Sequence, residues 1–545
     1  MNRSSTIAAL DALFEPVNRS DAPGLVVGVA LGGETLYRRG FGLASIEHGL
    51  SNTPWTRMRI GSTSKHIASL AALLLAEEGK LDLDAGVRRY LPELPEGAHE
   101  PTLRQFMQHT GGMRDSLDVG FLVAGLAIPP KGEALAVQVR QRDVNFAPGD
   151  KQIYNNGGYH MLSIAIERAA GMPFEQFLQE RIFAPLGMGD TRSVPSDFAI
   201  HPGMATMHVA QPDGSWRRGI FPSEEVRGEG AVVSTVDDML RWLAHLRGPH
   251  TVGSEDSWAQ LLRPARLNDG GGGSYALGLM VEDYRGVQVL HHGGTVIGGT
   301  CQMLTAPAHA LDIIVIANGA KVVVGELANK VLEAVLGEEA FARPAPAMAE
   351  CAAYRPLLGA LYASASADMV LGFGDAGGKL GLIVHNSPPI PARLDGPALV
   401  LDFSRVVCGP YRVEIAPLEE GAAPPATLLL QDGATVQELV RLPAGEVSTV
   451  AAGAALVGHY RAPDLNAVAE IVIDGEALLL RIQGAAVPNV LTLSAYSPDV
   501  FGWKFGGELA ALGGTLHVER RAGKVSGLRL NTLRTRHMQL QRLDD

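Results

Sequence analysis

A serine and a lysine three residues apart are the first pair in this sequence that could do covalent chemistry. Ser62-Thr-Ser-Lys65 opens a segment rich in leucine and alanine, which predicts a helix over residues 63–78. Residues at i and i+3 share one face of a helix, so the Lys65 amine can reach the Ser62 hydroxyl. Serine becomes a nucleophile when a base takes its proton, and lysine is such a base only when burial keeps it neutral.

The same pattern has a purely structural interpretation, in which Ser62 caps the helix and Lys65 points into solvent. The apolar composition of this helix favours the catalytic interpretation, because a lysine on the inner side of the helix would be desolvated. The start of a helix also offers free backbone N–H groups that can stabilise an oxyanion. The motif alone leaves both interpretations open.

Tyr154-Asn-Asn156 is the second candidate segment. A tyrosine near a lysine can act as a phenolate or relay a proton to a leaving amine. Asn156 could hydrogen-bond a substrate carbonyl or hold the lysine in place. A turn rich in asparagine and glycine with a packed tyrosine is the structural alternative.

His291-His292-Gly293-Gly294-Thr295 is the third candidate segment, and it follows an apolar strand segment. Glycines there allow a substrate to approach the backbone, and the Thr295 N–H is a candidate second oxyanion donor. Adjacent histidines on a strand point to opposite faces, so they cannot ligate one metal together. Because no HExxH motif or carboxylate cluster accompanies them, we expect no metal.

Nucleotide cofactors are not expected either. Residues 269–273 lack the Lys-Ser/Thr of a phosphate-binding loop, and residues 293–299 do not open a helix as a dinucleotide fingerprint does. Ser62 has no Gly-x-Ser-x-Gly context, so an ordinary Ser-His-Asp hydrolase is the poorer interpretation.

The helices and strands predicted in the first 340 residues would position the segments around Ser62, Tyr154 and His292. Helices are expected over residues 63–78, 158–170 and 236–246, and strands over residues 24–30, 287–290 and 313–316. Strands at both ends with helices between them predict an α+β domain, in which helical layers cover an antiparallel sheet.

The chain length of 545 residues predicts three or four domains. After a proline-containing stretch at residues 342–348, the sequence changes to short strands separated by glycine, proline and aspartate. We predict a catalytic domain over residues 1–340 and two small antiparallel β-barrel domains over residues 350–447 and 452–545. The two β regions resemble each other faintly, which fits either a duplication or two generic β domains.

Charge and composition narrow the function classes. The chain has 46 Lys+Arg against 58 Asp+Glu and no basic run, which disfavours a nucleic-acid partner or an anionic membrane surface. No apolar stretch of 18 residues occurs, so no membrane span is expected. Cys301, Cys351 and Cys408 lack CxxC spacing and the N-terminus lacks a signal-peptide core, so we expect a cytoplasmic protein.

The three motifs, in this order, resemble those of the penicillin-recognising serine hydrolases, which include class C β-lactamases, DD-carboxypeptidases and related esterases. Supporting segments lie at residues 79–84, 103–113, 185–188 and 230–238, and the resemblance covers about residues 20–335. It implies a β-lactamase/transpeptidase-like fold and a homodimer. It also implies that Ser62 is the acylated nucleophile, Lys65 its base, Tyr154 a proton relay, Asn156 a substrate or lysine contact, and His292 the third-motif polar group.

Two further β domains resemble the arrangement of the D-aminopeptidases in this family, which remove N-terminal D-residues from peptides and amides. In those enzymes a loop of the last domain brings an acidic residue into the active site. The comparable segment here, residues 483–493, has no carboxylate, and Asn489 is its nearest polar candidate. Expected substrate contacts are therefore Asn156, Gly294, Thr295 and Asn489.

Together, these observations predict a serine hydrolase. We expect it to form an acyl-enzyme with a small peptide or amino-acid amide, as a D-aminopeptidase does. His292 stands where β-lactamases carry lysine, and a neutral imidazole holds a carboxylate less strongly than an ammonium. One alternative is a broad-specificity esterase or weak β-lactamase on the same fold. Another is a non-catalytic protein that binds peptidoglycan fragments.

Overall fold

A six-stranded antiparallel sheet, in the order β10-β11-β12-β13-β1-β2, forms the centre of the first part of the chain. This computed structural model describes residues 3–97, 100–366, 368–401, 410–433, 435–443, 447–484 and 488–543. The strands of this part are β1 (Leu25–Leu31), β2 (Glu34–Phe41), β3 (Leu43–Ser45), β4 (Leu50–Ser51), β5 (Met58–Arg59), β6 (Arg192–Ser193), β7 (His208–Ala210), β8 (Trp216–Arg218), β9 (Val232–Ser234), β10 (Met280–Tyr284), β11 (Val287–Val296), β12 (Gly299–Ala306) and β13 (Leu311–Ala317).

Helices cover both faces of this sheet, which confirms the predicted α+β architecture. They are α1 (Arg3–Phe14), α2 (Lys65–Glu77), α3 (Leu103–Met107), α4 (Ser116–Ala124), α5 (Glu133–Arg140), α6 (Asn156–Ala170), α7 (Phe174–Leu178), α8 (Val236–Arg247), α9 (Glu255–Leu261) and α10 (Val324–Leu336). Helix α8 is capped by Thr235, whose side chain accepts a hydrogen bond from the backbone N–H of Asp238.

Alternation along β1 explains the two helical layers. Leu25, Val27 and Val29 pack with α1 and α10, whereas Val26 and Ala30 face the larger core that contains α2 and α8. On the α8 side, a Cβ at Gly28 would lie 2.2 Å from Val236 Cγ1, so glycine allows α8 to pack closely on the sheet.

The rest of the chain forms two antiparallel β structures, as predicted. The first is a nine-stranded, barrel-like sheet in the order β17-β16-β15-β14-β22-β21-β20-β19-β18, and the second is a closed eight-stranded barrel, β23 to β30. A short helix, α11 (Thr449–Gly453), precedes the barrel. The strands are β14 (Leu361–Ala363), β15 (Val370–Asp375), β16 (Leu380–Val384), β17 (Ile390–Pro391), β18 (Arg393–Asp395), β19 (Ala398–Leu401), β20 (Tyr411–Glu414), β21 (Thr427–Asp432), β22 (Thr435–Arg441), β23 (Gly458–Ala462), β24 (Ala467–Asp474), β25 (Ala477–Gln483), β26 (Asn489–Ala495), β27 (Val500–Phe505), β28 (Gly513–Arg521), β29 (Lys524–Asn531) and β30 (Met538–Arg542).

The closed barrel shares its apolar core with two helices of the first part. Val119 and Leu122 of α4 and Val137 of α5 belong to the same buried cluster as the barrel interior. Beside them, the fully buried Arg114 donates to the Asp464 carboxylate at 2.6 Å and to the Arg536 carbonyl at 2.9 Å. The barrel therefore fixes the position of α4 through both apolar and charged contacts.

The described residues contain no helix that is both long and apolar enough to cross a membrane. Cys301 and Cys351 are free thiols, and Cys408 lies outside the described residues.

The buried pair of Arg114 and Asp464 should contribute strongly to stability. Asp464→Ala would leave a buried guanidinium without its carboxylate, which costs about 3–5 kcal/mol, and we expect a clearly lower thermal unfolding midpoint. The matched control is Asp395→Ala, which breaks a largely exposed pair with Arg412. This change should cost about 0–1 kcal/mol. Equal shifts for the two variants in thermal denaturation would contradict the argument.

Candidate active site

Ser62 lies in a 3-10 turn, Gly61–Ser64, that leads directly into α2. Gly61 has φ +55°, and a Cβ there would lie 2.9 Å from the backbone nitrogen of Thr295. A Cβ at Gly294 would lie 1.9 Å from the Ile60 carbonyl oxygen. Glycine at both positions therefore lets β11 pack backbone to backbone against the turn, and this packing brings the Thr295 N–H close to Ser62.

Lys65 is fully buried and donates three hydrogen bonds. Its Nζ lies 3.1 Å from Ser62 Oγ, 2.9 Å from Asn156 Oδ1 and 2.7 Å from the Glu229 carbonyl oxygen. Burial lowers the pKa of Lys65 to about 7, although the Glu229 and Asp115 carboxylates act in the opposite direction. A substantial fraction of this amine is therefore neutral near pH 7.

Asn156 is oriented by a buried carboxylate. Asp115 caps the N-terminus of α4 and accepts hydrogen bonds from Asn156 N at 3.2 Å and from Asn156 Nδ2 at 3.1 Å. Because the amide nitrogen faces Asp115, the amide oxygen faces Lys65. Burial raises the pKa of Asp115.

Tyr154 completes the group around Ser62. Its ring centroid lies 4.7 Å from Lys65 Nζ, and its side chain lines the same cavity as Ser62. Burial raises the pKa of Tyr154, and the nearby Ser62 hydroxyl offsets this only in part. The neutral phenol is therefore the stable form near pH 7, which suits a proton relay better than a phenolate base.

His292 is buried and forms one end of a polar chain that the sequence did not predict. The Asn155 backbone N–H donates to His109 Nδ1 at 3.0 Å, so neutral His109 donates through Nε2 to the Tyr275 hydroxyl at 3.0 Å. Tyr275 in turn donates to His292 Nε2 at 3.0 Å. Burial lowers the pKa of both histidines well below the ordinary value, so this chain consists of neutral groups.

A cavity of about 630 Å³ opens at Ser62. Its lining includes the predicted residues Ser62, Tyr154, Asn156, Gly294 and Thr295. The nine-stranded sheet contributes Ile390 to this lining, and the closed barrel contributes Arg534. All three parts of the chain therefore meet at one cavity.

Arg534 reaches this cavity from the loop between β29 and β30. Its guanidinium forms ion pairs with Asp118 and, at 3.3 Å, with Asp115, the carboxylate that orients Asn156. Thr532 of the same loop donates to Asp118 at 2.6 Å. This loop of the last barrel therefore contributes a cation to the site.

Asn489 lies elsewhere. Its amide donates to the carbonyl oxygens of Phe121 at 2.7 Å and Leu122 at 3.2 Å, near the C-terminal end of α4. Within the predicted segment 483–493, residues 485–487 lie outside the described residues. Asn489 thus anchors α4 to the barrel and is not among the described residues that line the Ser62 cavity.

No cluster of three or more metal-ligating side chains occurs in the part of the chain that the structure describes. The two adjacent histidines have separate partners, since His291 Nε2 lies 2.9 Å from Glu282 Oε2 whereas His292 contacts Tyr275.

Comparison with known proteins places the chain in a family. Residues 10–337, more than half of the chain, match the family model described as Beta-lactamase. The chain therefore belongs to the beta-lactamase family. It is also similar to the D-aminopeptidase of Brucella melitensis biotype 2, with 27% identity over 493 residues, covering 88% of this chain and 87% of that protein. The D-aminopeptidase of Brucella anthropi is 26% identical over 497 residues, covering 88% and 86%.

Solved structures share the fold. The octameric penicillin-binding protein homologue from Pyrococcus abyssi superposes with a TM-score of 0.54 at 17% identity, covering 92% of this chain and 98% of that one. The D-amino acid amidase from Ochrobactrum anthropi SV3, complexed with L-phenylalanine amide, gives 0.51 at 23% identity, covering 60% and 97%.

Removing Arg534 should impair the site although it lies in another part of the chain. Arg534→Ala would leave Asp115 and Asp118 as neighbouring buried carboxylates and loosen Asn156, so we expect Ser62 to be labelled by a fluorophosphonate probe about tenfold more slowly or worse. Mass spectrometry measures the labelling rate. Arg520→Ala, on the exposed face of the same barrel, should label at the normal rate. Normal labelling of folded Arg534→Ala would contradict the role of this arginine.

Proposed function

We propose that the protein is a serine hydrolase that forms an acyl-enzyme on Ser62 and releases N-terminal D-amino acids from peptides, amides or esters. One observation carries the proposal of covalent catalysis: a fully buried amine with a pKa of about 7 lies 3.1 Å from the Ser62 hydroxyl. Similarity to the Brucella D-aminopeptidases along most of the chain supports the substrate class.

In the proposed reaction, Ser62 Oγ attacks the scissile carbonyl carbon while neutral Lys65 takes the hydroxyl proton. The backbone N–H groups of Ser62 and Thr295 stabilise the oxyanion. The neutral Tyr154 phenol passes a proton towards the leaving amine, whose bond to the carbonyl carbon breaks, and Lys65 restores the phenol proton. Water then attacks the ester carbonyl, which releases the acid and regenerates Ser62.

His292 has a supporting role in this proposal. Its Nε2 accepts from Tyr275, and its Nδ1 lies 2.5 Å from the Gly293 carbonyl oxygen. An uncharged imidazole held in this way adds no positive charge to the site. The proposed substrates are therefore amides and short peptides rather than compounds bound through a carboxylate at this position.

The partner in this proposal is a small peptide or amino-acid amide. A cytoplasmic location and a homodimer remain predictions from the sequence and from family resemblance.

Loss of the nucleophile should abolish turnover without unfolding the protein. We expect the wild type to hydrolyse D-alanine p-nitroanilide faster than the L-isomer, and Ser62→Ala to hydrolyse neither. Spectrophotometric rates with circular dichroism as a folding control test this. Retained turnover by purified Ser62→Ala would eliminate the acyl-enzyme proposal. Preference for p-nitrophenyl acetate or nitrocefin over both anilides would instead favour a broad esterase or β-lactamase.

The pH dependence of kcat/KM should reflect the protonation of Lys65. Protonation removes the base, so kcat/KM should level off well above pH 7 and should fall by about tenfold per pH unit well below it. A p-nitrophenyl ester without ionisable groups should be used, because its own charge then stays constant. An inflection near pH 10, or a flat profile from pH 5.5 to 9, would show that Lys65 is not the base.

A further inference from the structure

Within the part of the chain that the structure describes, one buried atom of Glu229 and one of His160 lack hydrogen-bond partners. Glu229 Oε1 accepts from His160 Nδ1 at 3.0 Å and from the Arg227 N–H at 3.1 Å. Among the described residues, no group hydrogen-bonds Glu229 Oε2 or His160 Nε2, and both atoms are buried. Glu229 Oε2 is a carboxylate oxygen, which can only accept hydrogen bonds, so it requires a donor.

An unpaired buried acceptor is costly, and a charged one more so. A ligand that supplies N–H donors and a positive charge would satisfy Glu229 Oε2, and an ammonium group supplies three N–H donors. The last torsion of a glutamate side chain is soft, so a small rotation can present Oε2 to a ligand.

Glu229 stands where two cavities meet. Besides the cavity at Ser62, it lines a smaller one of about 140 Å³ between α4, α5 and residues 221–225, which we call the side pocket. Leu117, Asn156 and Phe221 also line both cavities. Lys65 Nζ donates to both the Glu229 carbonyl oxygen and Ser62 Oγ. The Glu229 side chain therefore belongs to a residue that contacts the same amine as the Ser62 hydroxyl.

The side pocket is mostly apolar. Its lining includes Val119, Phe121, Val123, Ala124 and Val137. An apolar cavity of about 150 Å³ holds a benzene molecule, so this volume suits one leucine-sized or phenylalanine-sized side chain. The Glu229 carboxylate and the apolar side pocket therefore match the two groups on the α-carbon of an N-terminal residue: its ammonium and its side chain.

We propose that Glu229 binds the α-ammonium of the substrate's first residue, while the uncharged apolar side chain of that residue enters the side pocket. This inference rests on the proposed function and names its substrate class, which is peptides and amides with a free amine and an apolar first residue. Arg534 is already paired with two carboxylates, so its charge is offset within the same cavity.

The first experiment removes the charge of Glu229. Glu229→Gln should lower kcat/KM for D-leucine p-nitroanilide by about tenfold to a hundredfold, as expected for a lost charge-assisted bond. Hydrolysis of p-nitrophenyl 4-methylpentanoate, which has the same carbon skeleton and no amine, should change by less than about threefold. Glu420→Gln is the matched control and should leave both rates unchanged, because Glu420 is an exposed carboxylate that lines neither cavity.

The second experiment fills the side pocket. A Cβ at Gly120 of α4 meets nothing within 4 Å, and leucine is a better helix former than glycine, so Gly120→Leu should fold. We expect kcat/KM for D-leucine p-nitroanilide to fall by about tenfold or more, and that for D-alanine p-nitroanilide to change much less.

The outcomes separate the inference from the proposed function. Hydrolysis of the ester with no cleavage of either anilide by the wild type would overturn both. Wild-type cleavage of D-leucine p-nitroanilide that is unaffected by Glu229→Gln would overturn the ammonium site alone. Equal losses with the amine and amine-free substrates would also overturn it, because the variant would then disturb Lys65. Equal losses with D-leucine and D-alanine in Gly120→Leu would overturn the assignment of the side pocket.

Discussion

A lysine amine enclosed by protein loses the hydration that stabilises its charge, and Lys65 is enclosed completely. Burial alone would favour the neutral amine outright, whereas the Glu229 and Asp115 carboxylates favour the ammonium. The balance leaves the pKa close to neutrality, where one group can both take a proton from Ser62 and give it back. Asn156, Tyr154 and the Glu229 carbonyl all contact this same amine.

The barrel at the C-terminal end is part of this balance. It holds the start of α4 through Arg114 and the end of α4 through Asn489, and it places Arg534 beside Asp115. Asp115 orients Asn156, which in turn binds Lys65. Electrostatic conditions at the proposed nucleophile thus depend on a loop more than 460 residues away in sequence. In the proposed function, the barrel therefore contributes to the chemistry as well as to stability.

Local patterns in the sequence predicted much of the fold and the centre of the site. Apolar runs located β1, β13 and the start of β11. The spacing of Ser62 and Lys65 predicted that they could meet, although the motif alone also fitted a capping serine and an exposed lysine. Tyr154, Asn156 and the glycines of β11 followed from motifs. The helix predicted to start at residue 158 begins instead at Asn156, since the Asn155 side chain caps it by accepting from the Gly158 N–H.

Contacts between distant segments could not be predicted in this way. Arg534, Asp115 and Glu229 carry no local signature, and their importance arises from the packing of a barrel loop, α4 and a loop before β9. His109 lies in a segment that supports the family resemblance, but neither that segment nor the one around Tyr275 indicates a link to His292. This link forms only where three distant segments meet. Such pairings depend on tertiary geometry, which spacing along one segment does not encode.

The protonation state of Lys65 can be measured directly by NMR with lysine labelled with ¹³C at Cε. The signal missing from spectra of Lys65→Arg identifies this residue, and its chemical shift can be followed as the pH is raised. The structure predicts a midpoint near pH 7. A midpoint near that of ordinary lysines, at about pH 10.4, would contradict the central role of the buried neutral amine.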